Sequence, residues 1–98
     1  MFVTADPLDM AGTAGTLSGL TAAFAGGNAA AAAPTTAVAP PQANETALLL
    51  AAAFGTHGAL YQSFAAMAAI CHQMFAGALG TSGASYAATE AFNTAATL

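Results

Sequence analysis

Between residues 7 and 33 the large apolar positions are sparse but regular. Met10, Leu17, Leu20 and Phe24 recur at helical spacing and predict one apolar stripe on a first helix, about 7–33. Asp6 is placed to cap that helix, Pro7 suits its first position, and Asp9 puts a carboxylate at its positive end. Pro34 is expected to end it, leaving a Pro-rich connection over 34–43 that includes Pro40 and Pro41. Asn44 then caps a second helix, about 45–79, with Glu45 in its first turn and Gly80 as its stop. The pattern therefore predicts an all-α, antiparallel two-helix hairpin, followed by a separate C-terminal segment over 80–98.

The second helix carries two neighbouring apolar stripes. One runs through Leu50, Phe54, His57, Tyr61, Phe64, Ala68, Cys71 and Phe75; the other through Leu49, Ala53, Thr56, Leu60, Ser63, Met67, Ile70 and Met74. A single neighbouring helix covers one stripe, so a hairpin leaves the other in water, and exposed apolar patches of that length mark interfaces. The expected partner-facing residues are Leu17, Leu20, Phe24, Leu49, Leu50, Phe54, Leu60, Tyr61, Phe64, Met67, Ile70, Met74 and Phe75. On the first helix, Gly15, Gly19, Ala22 or Ala23, and Gly26 align as a small-residue seam for close approach of another helix, or else mark a loose helix that frays alone.

Composition sharpens this picture. Hydrophobic residues make up 57% of the 98, but much of that is alanine, which buries little area per residue. The chain has no Lys or Arg, four acids and a net charge of −4, which argues against nucleic acid or an anionic membrane surface as partner. No cleavable signal peptide is expected, since the N-terminus lacks a cationic region and carries Asp6 and Asp9. Gly55, His57, Gly58, Gln62, Ser63, His72 and Gln73 interrupt the apolar run of 47–79, which argues against a membrane-spanning helix.

The reactive inventory supports no enzyme, cofactor or metal site. His57 and His72 stand too far apart along one helix to share a metal. Cys71 and His72 are sequence neighbours and diverge by ~100° on a helix, a poor nucleophile–base geometry. Cys71 reads as a small apolar filler and His57 as an interface residue. Tyr86 and Glu90, four residues apart, share one helix face past the long helical segment, and are the one feature with the look of a recognition tag.

Met1-Phe2-Val3-Thr4 with Pro7, the block Asn28-Ala29-Ala30-Ala31-Ala32-Ala33-Pro34-Thr35-Thr36, the Pro40-Pro41 turn, and Leu79-Gly80-Thr81-Ser82-Gly83-Ala84-Ser85-Tyr86-Ala87-Ala88-Thr89-Glu90 together resemble a mycobacterial PE domain over essentially the whole chain. The resemblance implies a hairpin that forms half of an elongated four-helix bundle with a PPE-family protein. It implies export by a type VII secretion system without a cleaved signal peptide. The family's Tyr-x-x-x-Asp/Glu secretion signal falls on Tyr86 and Glu90. A secretion chaperone would grip the PPE partner and reach this chain only indirectly. The family is named for a Pro-Glu pair where this chain has Pro7-Leu8; Asp6 and Asp9 still supply negative charge there. Ending at Leu98 without a long Gly-rich or catalytic extension, the chain is not expected to carry the enzymatic roles of extended members.

The expected function is thus a secreted, non-enzymatic interaction module, an obligate heterodimer with a PPE protein, found outside the cell or at its surface. The alternative is a cell-envelope component in which the pair associates with the outer membrane and assists solute passage. A small Trp-Gly hairpin protein of the same pathway fits poorly, since the chain has no Trp.

Overall fold

The structure, a computed structural model, describes residues 4–97. Met1, Phe2 and Val3 of the family-like N-terminus, and Leu98, lie outside the described residues. The described chain forms two α-helices, α1 (Pro7–Thr36) and α2 (Glu45–Ala96), with no strand among the described residues. They distribute over two compact units, Met1–Thr21 with Cys71–Leu98, and Ala22–Ile70. In the second unit α1 ends, residues 37–44 turn the chain, and α2 returns antiparallel.

Both helix starts follow from local chemistry. The Asp6 carboxylate accepts hydrogen bonds from the N–H groups of Leu8 at 2.9 Å and Asp9 at 3.2 Å. Asn44 Oδ1 accepts from Ala47 N–H at 2.8 Å. Each satisfies N–H groups that the first turn leaves without a helical partner.

Both helix ends lie later than the sequence predicts. Pro34 sits inside α1 rather than ending it. Pro34 has no N–H to give the Ala30 carbonyl, yet the helix runs on past it in its last turn, where the Thr35 and Thr36 hydroxyls donate to the carbonyls of Ala31 and Ala32 at 2.6 and 2.7 Å. Ala37 N–H also bonds Ala33 at 3.0 Å, so the connection shortens to 37–44. Nor does Gly80 stop α2, which continues to Ala96, so 80–98 is not a separate segment. A terminating glycine adopts a left-handed backbone, and no described glycine has positive φ. Gly80 instead packs near Ala14, whose Cβ would lie 3.7 Å from a side chain there. Thr81, Ser85, Thr89 and Thr94 hydroxyls bond back to the preceding turn as the helix continues.

Neither apolar stripe of α2 forms the seam with α1, although Tyr61 of the first stripe reaches α1 through its hydroxyl. A third stripe does, made of small residues three and four apart. In the second unit Ala47, Ala51, Gly58 and Ala65 are buried on it, with Gly55, Gln62 and Ala69 half-buried. In the first unit Ala76 and Gly83 are buried and His72 half-buried. The facing positions of α1 are Pro7, Met10, Ala14, Leu17 and Thr21 in one unit, and Asn28, Ala31 and Ala32 in the other. The physical reason is distance: without bulky side chains between them the backbones close up. Gly58 lies so near Thr35 that an added Cβ would overlap the Thr35 carbonyl oxygen, and one on Gly55 would stand 2.9 Å from the Thr36 carbonyl oxygen. The glycines of α1 play no such part. A Cβ at Gly15, Gly19 or Gly26 meets nothing within 4 Å, so the small-residue seam expected there does not face α2.

Small seams specify register weakly, because one alanine resembles the next; here polar pairs mark it. In the first unit His72 Nδ1 and Thr21 Oγ1 are hydrogen-bonded, and the Thr21 hydroxyl donates to the Leu17 carbonyl at 3.0 Å. In the second unit Asn28 receives two bonds from α2: Tyr61 O–H donates to its side-chain oxygen at 2.9 Å, and Gln62 Nε2 to its carbonyl at 3.0 Å.

Candidate functional site

The consequence of a small-residue seam is an uncovered set of large side chains. The buried apolar residues are Ala47, Ala51, Ala65 and Ala76, and among the described residues no large apolar side chain is buried. Of the thirteen positions expected to face a partner, twelve are exposed: Leu20, Phe24, Leu49, Leu50, Phe54, Leu60, Tyr61, Phe64, Met67, Ile70, Met74 and Phe75. Leu17 differs, being half-buried against α2. Phe64 at 65% and Met74 at 69% are as open as surface polar residues ordinarily are. Leu8, Leu48 and Phe92, which the stripe pattern omits, are exposed as well. Cys71 is also exposed, so it is not a filler of this chain's own packing.

These side chains fall on distinct sides. At 3.6 residues per turn, Leu50, Phe54, His57, Tyr61 and Phe64 lie on the flank of α2 next to the seam. In the second unit this flank adjoins Ala31 and Thr35 of α1, and the Tyr61–Asn28 bond crosses it. The opposite flank is small: Ala25 and Ala29 of α1 with Ala66 and Ala69 of α2 line a shallow hollow of about 200 Å³. Leu49, Leu60, Met67 and Ile70 occupy the back of α2, away from α1. The second unit therefore has one face built from large side chains of α2 beside Ala31 and Thr35 of α1, one built largely from alanine, and an apolar back strip on α2 alone.

In the first unit, Phe75, Leu79 and Tyr86 follow one another on a single flank of α2. Gly83 packs against the start of α1, where an added Cβ would be 3.1 Å from Met10 Cβ and 3.2 Å from the Pro7 carbonyl. Residues beyond it, Tyr86 and Glu90 among them, are exposed, past the first turn of α1. The tag-like pair thus belongs to α2 itself, on a stretch that α1 does not cover. Its i, i+4 spacing, read from the sequence, becomes a real shared helix face.

Charge adds little to either unit. Within Ala22–Ile70 the one acid is Glu45, and the chain has no Lys or Arg. α2 also contains an 18-residue window of mean hydropathy 1.3, 11% of it buried, so by length and composition it is able to cross a membrane despite the interrupting residues. Among the described residues no three His, Cys, Asp or Glu gather where they could hold one metal ion.

The chain matches known proteins along nearly its whole length. The model of the PE family matches residues 3–93. PE family protein PE13 of Mycobacterium tuberculosis is 50% identical over 95 residues, covering 97% of this chain and 96% of that protein. PE-PGRS family protein PE_PGRS8 of the same species is 43% identical over 94 residues, 96% of this chain but 54% of that protein. Ubiquitin-binding protein Rv1468c, also from M. tuberculosis, is 45% identical over 92 residues, 94% of this chain and 25% of that protein. The chain spans nearly all of the first relative, about half of the second and a quarter of the third. With a family match across this much of its length, and a full-length relative at half identity, the chain belongs to the PE family.

Proposed function

We propose that the chain is a non-enzymatic interaction module, one half of an obligate heterodimer with a PPE protein, exported by a type VII secretion system. One observation carries the reading: the fold buries alanines and leaves its large apolar side chains in water. The chain exposes 7088 Å², whereas a folded monomer of its mass exposes about 5000 Å². The surplus, about 2000 Å², is the share one subunit contributes to a large obligate interface. The flank bearing Leu50, Phe54, Tyr61 and Phe64 is the partner-facing one. A partner helix seated there touches α1 and α2 together, whereas one on the back strip of Leu49, Leu60, Met67 and Ile70 touches α2 alone.

Export rests on Tyr86 and Glu90. Their exposure on an uncovered stretch of α2 suits recognition by the secretion machinery, and the chaperone acts through the PPE subunit. The delivered pair works outside the cell or at its surface.

Replacing Phe64 with Asp tests the heterodimer. It places a carboxylate in the middle of the partner flank and abolishes co-purification with a PPE-family protein that co-purifies with the wild-type chain; unchanged co-purification removes the reading.

A second reading, an envelope component that assists solute passage, is favoured by the length and apolar character of α2. Fractionation of the native host separates the two. A pair that stays with the envelope until detergent is added supports the second reading, and a pair in the culture filtrate supports the first.

A further inference from the structure

The partner flank of the second unit is not flat. Where α2 passes Pro34 and Thr35, the small residues Ala31 and Gly58 leave an open groove of about 400 Å³, walled by Val38, Phe54 and Tyr61, with His57 at its side. That volume lies in the range of sites that seat a small molecule or a large side chain. We propose that this groove receives a single uncharged aromatic side chain with a polar edge, Trp or Tyr, from the PPE subunit; the proposal rests on the heterodimer reading above.

Three arguments select the occupant. The residues that anchor interfaces through pockets are chiefly Trp, Tyr and Arg. Arg would find no carboxylate on the lining to pair with, whereas a neutral ring needs none. A ring matches the walls, two of which are aromatic, and ring pairs gain stabilisation beyond the area they bury. A polar edge matches the polar groups present. Tyr61 O–H is given to Asn28 and Thr35 O–H to Ala31, and of the acceptors on the lining, the Tyr61 and Thr35 oxygens and the His57 imidazole, the imidazole nitrogen is the strongest for an incoming N–H or O–H. The surplus surface of the chain is comparable to one subunit's share of a large interface, and the exposed Leu50, Phe54, Tyr61 and Phe64 beside the groove give a partner its apolar contact there.

The test fills the groove from within. Ala31→Trp puts an indole of the chain's own into the space; Ala59→Trp puts the same bulk on the alanine side of α2. Affinity for a PPE-family protein is measured by co-expressing each variant in competition with the wild-type chain, with the helicity of the recovered complexes checked by circular dichroism and Phe64→Asp as a third arm. The expected result is at least a tenfold loss of affinity for Ala31→Trp, little change for Ala59→Trp, and no binding for Phe64→Asp. Wild-type affinity for Ala31→Trp beside a dead Phe64→Asp overturns the groove occupant and spares the heterodimer. Wild-type affinity for both overturns the heterodimer itself. Should Ala31→Trp lose helicity, His57→Ala carries the test, since His57 is exposed and its loss does not disturb the seam. It lowers affinity several-fold if the aromatic edge bonds the imidazole, and leaves affinity unchanged if the proposal is wrong.

Discussion

Gly58→Ala probes the close approach on which the fold depends. The added Cβ would overlap the Thr35 carbonyl oxygen and lie 2.8 Å from its carbon, about 1 Å inside an ordinary carbon–carbon contact. The obstacle is backbone, and Thr35 is tied by its hydroxyl to Ala31 at 2.6 Å, so α1 and α2 must separate locally. Overpacking of this kind costs about 1–3 kcal/mol, of which about 1 kcal/mol is offset by the better helix propensity of alanine. The net loss is about 1 kcal/mol, or about 2–4 °C in Tm for an assembly above 150 residues. Gly27→Ala is the matched control: nothing lies within 4 Å of a Cβ there, so the propensity gain of up to about 1 kcal/mol is realised and Tm rises by a similar amount. Thermal unfolding of the co-purified complex, followed at 222 nm, separates the two variants by several degrees in opposite directions. A Gly58→Ala complex that gains as much as Gly27→Ala refutes the close-packed seam.

Asn44→Ala removes the acceptor that holds the first turn of α2 at 2.8 Å. It lowers stability by about 0.5–2 kcal/mol, read in the same melt, and an unchanged Tm counts against the cap. Tyr86→Ala and Glu90→Ala, both exposed on the stretch of α2 that α1 does not cover, leave the complex intact and stop its appearance in the culture filtrate. Normal export of both variants removes the signal from these residues.

Helix starts were legible because their chemistry is local: Asp6-Pro7 and Asn44-Glu45 each supply a side-chain acceptor one turn before an apolar run. Helix ends were not, because Pro34 and Gly80 are stop signals that neighbouring groups override. Past Pro34 the Thr35 and Thr36 hydroxyls and the Ala37 N–H bond back to carbonyls of the preceding turn, and Gly80 is a packing position against Ala14. The exposed large residues were legible as interface candidates from their spacing. The seam that displaces them was missed because bulk usually marks a core. Its signal was present in the sequence as Ala47, Ala51, Gly55, Gly58, Gln62 and Ala65, spaced three and four apart like any buried stripe. The pairing of Thr21 with His72 and of Asn28 with Tyr61 joins residues far apart in the chain, and no local rule reaches them.

The central claim, that this chain is half of an obligate helical assembly, is tested most directly by far-UV circular dichroism with size-exclusion light scattering. The chain is measured alone and after co-expression with PPE-family proteins of its host. The account predicts a poorly helical or aggregated chain alone, and a helical one-to-one complex with the partner. A stable, helical monomer that needs no partner would contradict it, for the large side chains left in water would then be no interface at all.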